Sequence, residues 1–169
     1  MAKEITVRYD AQPTDHDGVP AIRTDKLEVK ISPLVPVNAD DGEPGRGVFA
    51  RVPFTAGDII EVCPAIVEWY IKDAKKMHAA LYQYCFSWGS DDKANGLLLG
   101  FGSLYNHSVE NANMANEMWN DEEVMVFYAL RDIKVGEELL FDYSGGDEEI
   151  RNDLWFTDSI DTPVKKKGK

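Results

Sequence analysis

Apolar residues recur along this chain in short runs: Val48 to Val52, Ile59 to Val62, Ala65 to Tyr70, Leu97 to Phe101, Val124 to Leu130 and Glu138 to Tyr143. Gly, Pro, Asn and Asp separate them. Most of these residues are β-branched or aromatic, and the runs are too short for globular helices, so they predict strands with irregular connections. Two earlier segments, Ile5 to Tyr9 and Leu27 to Ile31, give further strand signals; in the second, Leu27, Val29 and Ile31 alternate with Glu28 and Lys30, the mark of a half-buried strand. Asp10 to Asp17 is polar and turn-rich. Ser32 to Gly45, with Pro33, Pro36, Gly42 and Pro44, reads as a loop and a local insertion. One stretch differs: from Asp73 to Cys85, Ala74, Met77, Leu81 and Tyr84 or Cys85 recur at three to four residue spacing, which predicts a single helix. Alternating strand-helix units are missing, so a doubly wound parallel sheet is not expected.

The length of 169 residues fits one domain, and 44% apolar with 28% charged residues is the balance of an ordinary globular protein. The excess of 30 acidic over 18 basic residues, a formal charge of -12, disfavours direct nucleic-acid binding and suits a basic partner. No run approaches the roughly 18 apolar residues of a membrane helix. The start, Met1 to Asp10, is too charged for a signal peptide, so an intracellular protein is expected, with no membrane association. Cys63 and Cys85 form no C-x-x-C pair, which leaves neither a disulfide framework nor a cysteine-rich zinc site, and no metal is expected.

Three constellations carry candidate chemistry. Gly45-Arg46-Gly47-Val48-Phe49-Ala50 sets two glycines before an apolar strand, where bare backbone can lie against a ligand or take an unusual φ. The third glycine of a dinucleotide fingerprint is absent and no helix pattern follows. Asn106-His107-Ser108 gathers three polar side chains between apolar strands, and Gly136-Glu137-Glu138-Leu139-Leu140-Phe141-Asp142-Tyr143 is a turn and strand ending in a tyrosine. Taken singly, each also reads as ordinary structure: a turn, an Asx turn with a satisfied histidine, an edge strand.

In this order and spacing the three motifs, together with Leu104-Tyr105 and Phe127-Tyr128-Ala129-Leu130-Arg131-Asp132-Ile133, resemble a SET-domain protein-lysine methyltransferase over Gly45 to Tyr143. The small size and missing cysteines are most similar to minimal stand-alone SET proteins of viral or microbial type. The resemblance implies a mainly β fold, the SET-domain β-clip of several short sheets with one short helix, in which the Asn-His segment and the last strand thread as a pseudoknot. It implies S-adenosylmethionine as cosubstrate, held by Gly45, Arg46, Gly47, Asn106 and His107, with Tyr84 from the aromatic stretch Tyr82, Tyr84 and Phe86. Tyr143 is implied as the catalytic tyrosine, and Tyr105, Tyr128 and Phe141 as walls of a lysine channel. The family's Pro-Asn pair after the triplet is replaced by Val109-Glu110-Asn111-Ala112-Asn113, its preceding arginine by Ser103, and its cysteine-rich closing segment is absent. Trp155, in Asn152-Asp153-Leu154-Trp155-Phe156, is then the expected lid over the cosubstrate.

The implied organisation is an N-terminal strand and loop extension over 1–26, the SET domain over 27–156, and a basic, disordered tail over 157–169. The expected substrate is a lysine-rich segment, a histone tail first. Glu110, Glu117, Asp121, Glu122 and Glu123, with Asp147, Glu148 and Glu149, would attract it, and as single residues they also read as a solvated face. The lysines at the C-terminal end are compatible with a nuclear location. A SET-fold binding module acting as a scaffold in a chromatin-associated complex is the alternative. A cysteine hydrolase using Cys85 and His107 lacks a base-orienting partner and oxyanion donors.

Overall fold

A computed structural model of the chain describes residues 24–34, 45–68, 81, 84–89 and 94–153. The strand expected at Ile5 to Tyr9 and most of the Ser32 to Gly45 loop lie outside them, as do 154–169 with Trp155. Of the helix expected over Asp73 to Cys85, only Leu81, Tyr84 and Cys85 are described. Leu81 is helical, the Tyr84 N–H donates to the Leu81 carbonyl at 3.0 Å, and Cys85 already opens a strand.

The fold is mainly β. Strand β1 (Leu27–Ile31) pairs antiparallel with β2 (Arg46–Ala50). Strands β3 (Ile59–Glu68), β4 (Cys85–Trp88), β5 (Ala94–Leu98), β7 (Met114–Trp119) and β8 (Val124–Ala129) form a five-stranded sheet in the order β4-β5-β3-β8-β7. The third sheet is small: β6 (Asn106–His107) runs parallel to β9 (Leu140–Phe141). A short helix, α1 (Glu148–Asp153), follows, with Glu148 and Glu149 in its first turn and Arg151 in its last, the polarity that suits its dipole.

Two predicted strands, Ile59 to Val62 and Ala65 to Tyr70, are one ten-residue strand that passes through Pro64. A proline lacks the N–H for a ladder and is expected at strand ends or bulges. Here it sits where β3 changes partner: Ile59 to Pro64 pair with β8, and Ala65 to Glu68 pair with β5. The core lies beneath the sheet and is built on Trp88, Tyr105, Met114, Met125, Phe127 and Leu139, all fully buried. Loss of the Phe127 side chain from such a core costs about 3–5 kcal/mol.

Asn113 stitches the parallel pair to the sheet. Its N–H donates to the Leu140 carbonyl at 3.0 Å, its Oδ1 accepts the Leu140 N–H at 2.9 Å, and its Nδ2 donates to the Glu138 carbonyl at 2.8 Å. It is fully buried, whereas Asn111, the other asparagine of the altered flank, is exposed. Asn113→Ala is therefore expected to destabilise the protein by about 2–4 kcal/mol, two lost bonds plus stranded backbone partners. Asn111→Ala should stay close to wild type in the same urea titration.

Candidate active site

The glycine strand meets the Asn-His segment through a half-buried carboxylate. Asn106 Nδ2 donates to Glu138 Oε1 at 2.7 Å and to the Arg46 carbonyl at 3.0 Å; Glu138 Oε2 accepts from Ser32 Oγ at 2.9 Å. Burial pushes the Glu138 carboxyl above the usual range, and the Asn106 and Ser32 bonds oppose it. Gly47 explains the motif. A Cβ there would strike Glu138 Oε1 and come within 2.8 Å of Asn106 Nδ2, and its φ is not positive. The glycine is thus required by the approach of Glu138 and Asn106. Of the two sequence readings, the unusual φ does not apply at Gly47.

Both N–H bonds of the Asn106 amide are committed to protein, so its Oδ1 remains as an acceptor. Beside it the Glu138 carboxylate adds negative potential. An acceptor oxygen beside a carboxylate suits a cationic or N–H-bearing group.

His107 of β6 and Tyr143, two residues past the end of β9, carry the second half of the site. The Tyr143 N–H donates to His107 Nδ1 at 3.0 Å, and the Tyr143 hydroxyl donates to the Tyr105 carbonyl. Asp142 Oδ1 lies 3.9 Å from the same His107 Nδ1. Part of the Tyr143 ring reaches solvent, yet its hydroxyl end is enclosed. Burial pushes the phenol well above its usual range, and the nearby Tyr84 phenol adds to the shift. The hydroxyl is therefore neutral at ordinary pH and serves as a donor to the Tyr105 carbonyl.

Asp142 fixes the turn that follows. Although partial burial raises its pKa, hydrogen bonds from Ser144 and Arg151 outweigh that and hold the carboxyl below its usual range. Arg151 Nη2 lies 3.0 Å from Asp142 Oδ2, which ties α1 to the end of β9.

The aromatic residues divide. Phe141 packs on Tyr143 with centroids 4.6 Å apart, on Phe127 at 5.6 Å and on Phe86 at 6.0 Å, so it walls the tyrosine. Tyr84 is exposed and near enough to Tyr143 to act on it electrostatically. Tyr105 turns its ring into the core. Its ring is buried against Phe127, 4.8 Å between centroids, and its hydroxyl donates to Glu61 Oε2 at 2.7 Å, so only its carbonyl faces Tyr143. Tyr128 lies on β8 and lines a cleft of about 370 Å³ with Met114, Asn116, Phe141 and Asp142. The Arg46 side chain is exposed, and Gly45 gives its carbonyl to the Ser32 N–H at 2.9 Å. Cys85 donates its thiol to the Leu81 carbonyl.

Sequence reasoning missed Glu61, Glu138 and Ser32 as parts of this site. Glu61 had one visible signal, a lone charge inside an apolar run. Among the described residues no cluster of three or more His, Cys, Asp and Glu could hold a metal ion.

The SET domain family matches residues 45–144, which takes in the glycine strand, the Asn-His segment and Tyr143. The chain belongs to the SET-domain family. A Schizosaccharomyces pombe SET relative, a histone-lysine N-methyltransferase specific for H3 lysine-37, is 33% identical over 143 residues, 83% of this chain and 82% of the relative. A Plasmodium falciparum candidate histone methyltransferase of known structure is 26% identical, with a TM-score of 0.52 over 72% of this chain and 95% of that one. A structure of ctPRC2 bound to S-adenosylmethionine, 18% identical, matches 75% of this SET protein and 16% of that chain with a TM-score of 0.51, a likeness of fold alone.

Proposed function

We propose that this SET protein is an S-adenosylmethionine-dependent protein-lysine N-methyltransferase acting on a basic segment, a histone tail first. One observation carries the reading. The β6–β9 pair sets Asn106, held by Glu138, beside Tyr143, held by His107 and the Tyr105 carbonyl, so a cation cradle adjoins an enclosed neutral hydroxyl. The fission-yeast relative adds the substrate class.

When bound, S-adenosylmethionine supplies an electrophilic methyl on a sulfonium. The incoming lysine has to lose its proton, and an apolar surround disfavours the ammonium form. Phe141, Phe86 and the Tyr143 ring supply that surround. With its proton committed to the Tyr105 carbonyl, the Tyr143 oxygen accepts an N–H of the amine and turns the nitrogen lone pair toward the methyl. The acidic residues Glu117, Asp121, Glu122 and Glu123 are exposed and attract a lysine-rich chain. A histone substrate places the protein in the nucleus.

The scaffold alternative draws its support from the altered flank after the triplet. Asn113 in that flank supplies the stitching between the strands, so the departure leaves the site closed. Incubation with tritiated S-adenosylmethionine and histones, nucleosomes and ribosomal proteins should label a histone. No label on any of them, together with no S-adenosylmethionine binding in calorimetry, would overturn the reading.

A further inference from the structure

Glu61 lies on β3, outside all three sequence motifs, yet two donors from one turn meet its carboxylate. Oε1 accepts the Phe101 N–H at 3.1 Å and Oε2 accepts the Tyr105 hydroxyl at 2.7 Å. Phe101 and Tyr105 bracket the 3-10 turn Gly102–Leu104, which the Leu104 N–H closes onto the Phe101 carbonyl at 2.7 Å. One carboxylate thus fastens both ends of the turn that delivers the chain to Asn106.

Gly100 makes room for it. That residue has φ +79°, and a Cβ there would lie 2.6 Å from Glu61 Oε1, so the backbone is shaped around the carboxylate. A charge in an apolar strand costs free energy unless its partners are directional and complete. An apolar residue would serve packing better, which directs attention to what the carboxylate orients.

We propose that Glu61 is a positioning residue for methyl transfer: by fastening the 101–105 turn it fixes the Tyr105 carbonyl, which in turn holds the Tyr143 hydroxyl. The chain of contacts is continuous, Glu61 to the Tyr105 side chain and the Tyr105 carbonyl to Tyr143. Residue 105 is held at its ring end, at its carbonyl and through the turn behind it, so its carbonyl has little freedom to swing. The inference rests on the methyltransferase reading above.

In Glu61→Gln an acceptor oxygen remains for one donor and an amide N–H faces the other. The Tyr105 hydroxyl keeps a partner only by reversing its role to accept, so the charge-assisted bond that fixes that end of the turn is replaced by a weaker neutral one. With recombinant histone H3 as probe substrate and the full chain as enzyme, kcat should fall about tenfold to a hundredfold, as small misplacements at a reacting centre do. KM for the histone and calorimetric affinity for S-adenosylmethionine should stay within about twofold. In a Tyr143→Phe background the same change should cost less than about twofold, because the hydroxyl it positions is gone. A purely structural Glu61 predicts equal losses in both backgrounds, and that result would overturn the proposal.

A second measurement needs no activity. The 13Cζ shift of Tyr143, observed with labelled tyrosine and assigned by its loss in Tyr143→Phe, reports the hydrogen bond of that hydroxyl. It should move in Glu61→Gln, and an unchanged shift in a folded variant would overturn the proposal. Absence of methyl transfer by the wild type would sink the function reading while leaving this signal to decide the coupling. Should Glu61→Gln fail to fold, Gly100→Ala crowds the same carboxylate from outside and should move the same resonance.

Discussion

Gly47→Ala is expected to abolish usable cosubstrate binding while leaving the protein folded. The added methyl would occupy the space of Glu138 Oε1 and press on Asn106 Nδ2. Glu138 has to withdraw, and Asn106 then loses the bond that fixes its amide orientation. Losing one charge-assisted bond and stranding its partner removes about 3 kcal/mol, which corresponds to roughly a hundredfold in affinity. Calorimetry with S-adenosylmethionine measures it. Ser32→Ala is the graded control, because it removes only the outer support of Glu138, and it should weaken binding far less. Full affinity in Gly47→Ala would mean that Asn106 is not the cosubstrate's anchor.

Tyr143→Phe should reduce methyl transfer by about a hundredfold to a thousandfold, the range found when one preorganised hydroxyl or amide donor is removed from a reacting centre. The fold should tolerate the change. The Tyr143 backbone bond to His107 and the ring contact with Phe141 do not involve the hydroxyl. Cosubstrate affinity should hold for the same reason, so the loss is expected in kcat and not in binding. A near wild-type rate would move the orienting role to another group, and Tyr84, which faces the same phenol, would be examined first.

What the sequence showed follows from the range over which each residue acts. Asn106, His107 and Tyr143 lie in motifs whose order and spacing resemble the SET family, and it was that resemblance that brought them together. Glu138 and Glu61 act through partners in distant parts of the chain: Glu138 reaches Asn106 across 32 residues and Glu61 reaches Tyr105 across 44. No local pattern encodes such contacts. Tyr105 was read as a channel wall because aromatic type is visible in a sequence and ring direction is not. Strands β4 and β7 carried no clear signal either. Met114–Trp119 contains Asn, Ala and Glu, poor strand formers, and becomes a strand through pairing with β8 along its full length. The unbroken β3 was hidden by Pro64, since a proline in an apolar run is a sound reason to divide it unless the change of partner is known.

The parallel pairing of β6 with β9 also sets an order of events for the folding chain. The β7–β8 hairpin lies between the two strands and can close locally around its turn at 120–123. Tyr143 and His107, by contrast, meet across 36 residues, a closure that costs about 3 kcal/mol in chain entropy before any contact repays it. Long-range contacts of this kind form late and open first. The reacting centre thus depends on a closure longer than the hairpin's own, and a ligand that engages the closed form would act as its clasp. Amide exchange at Tyr143 and Leu140 would slow on ligand addition, while the hairpin, already closed, would keep its own pace.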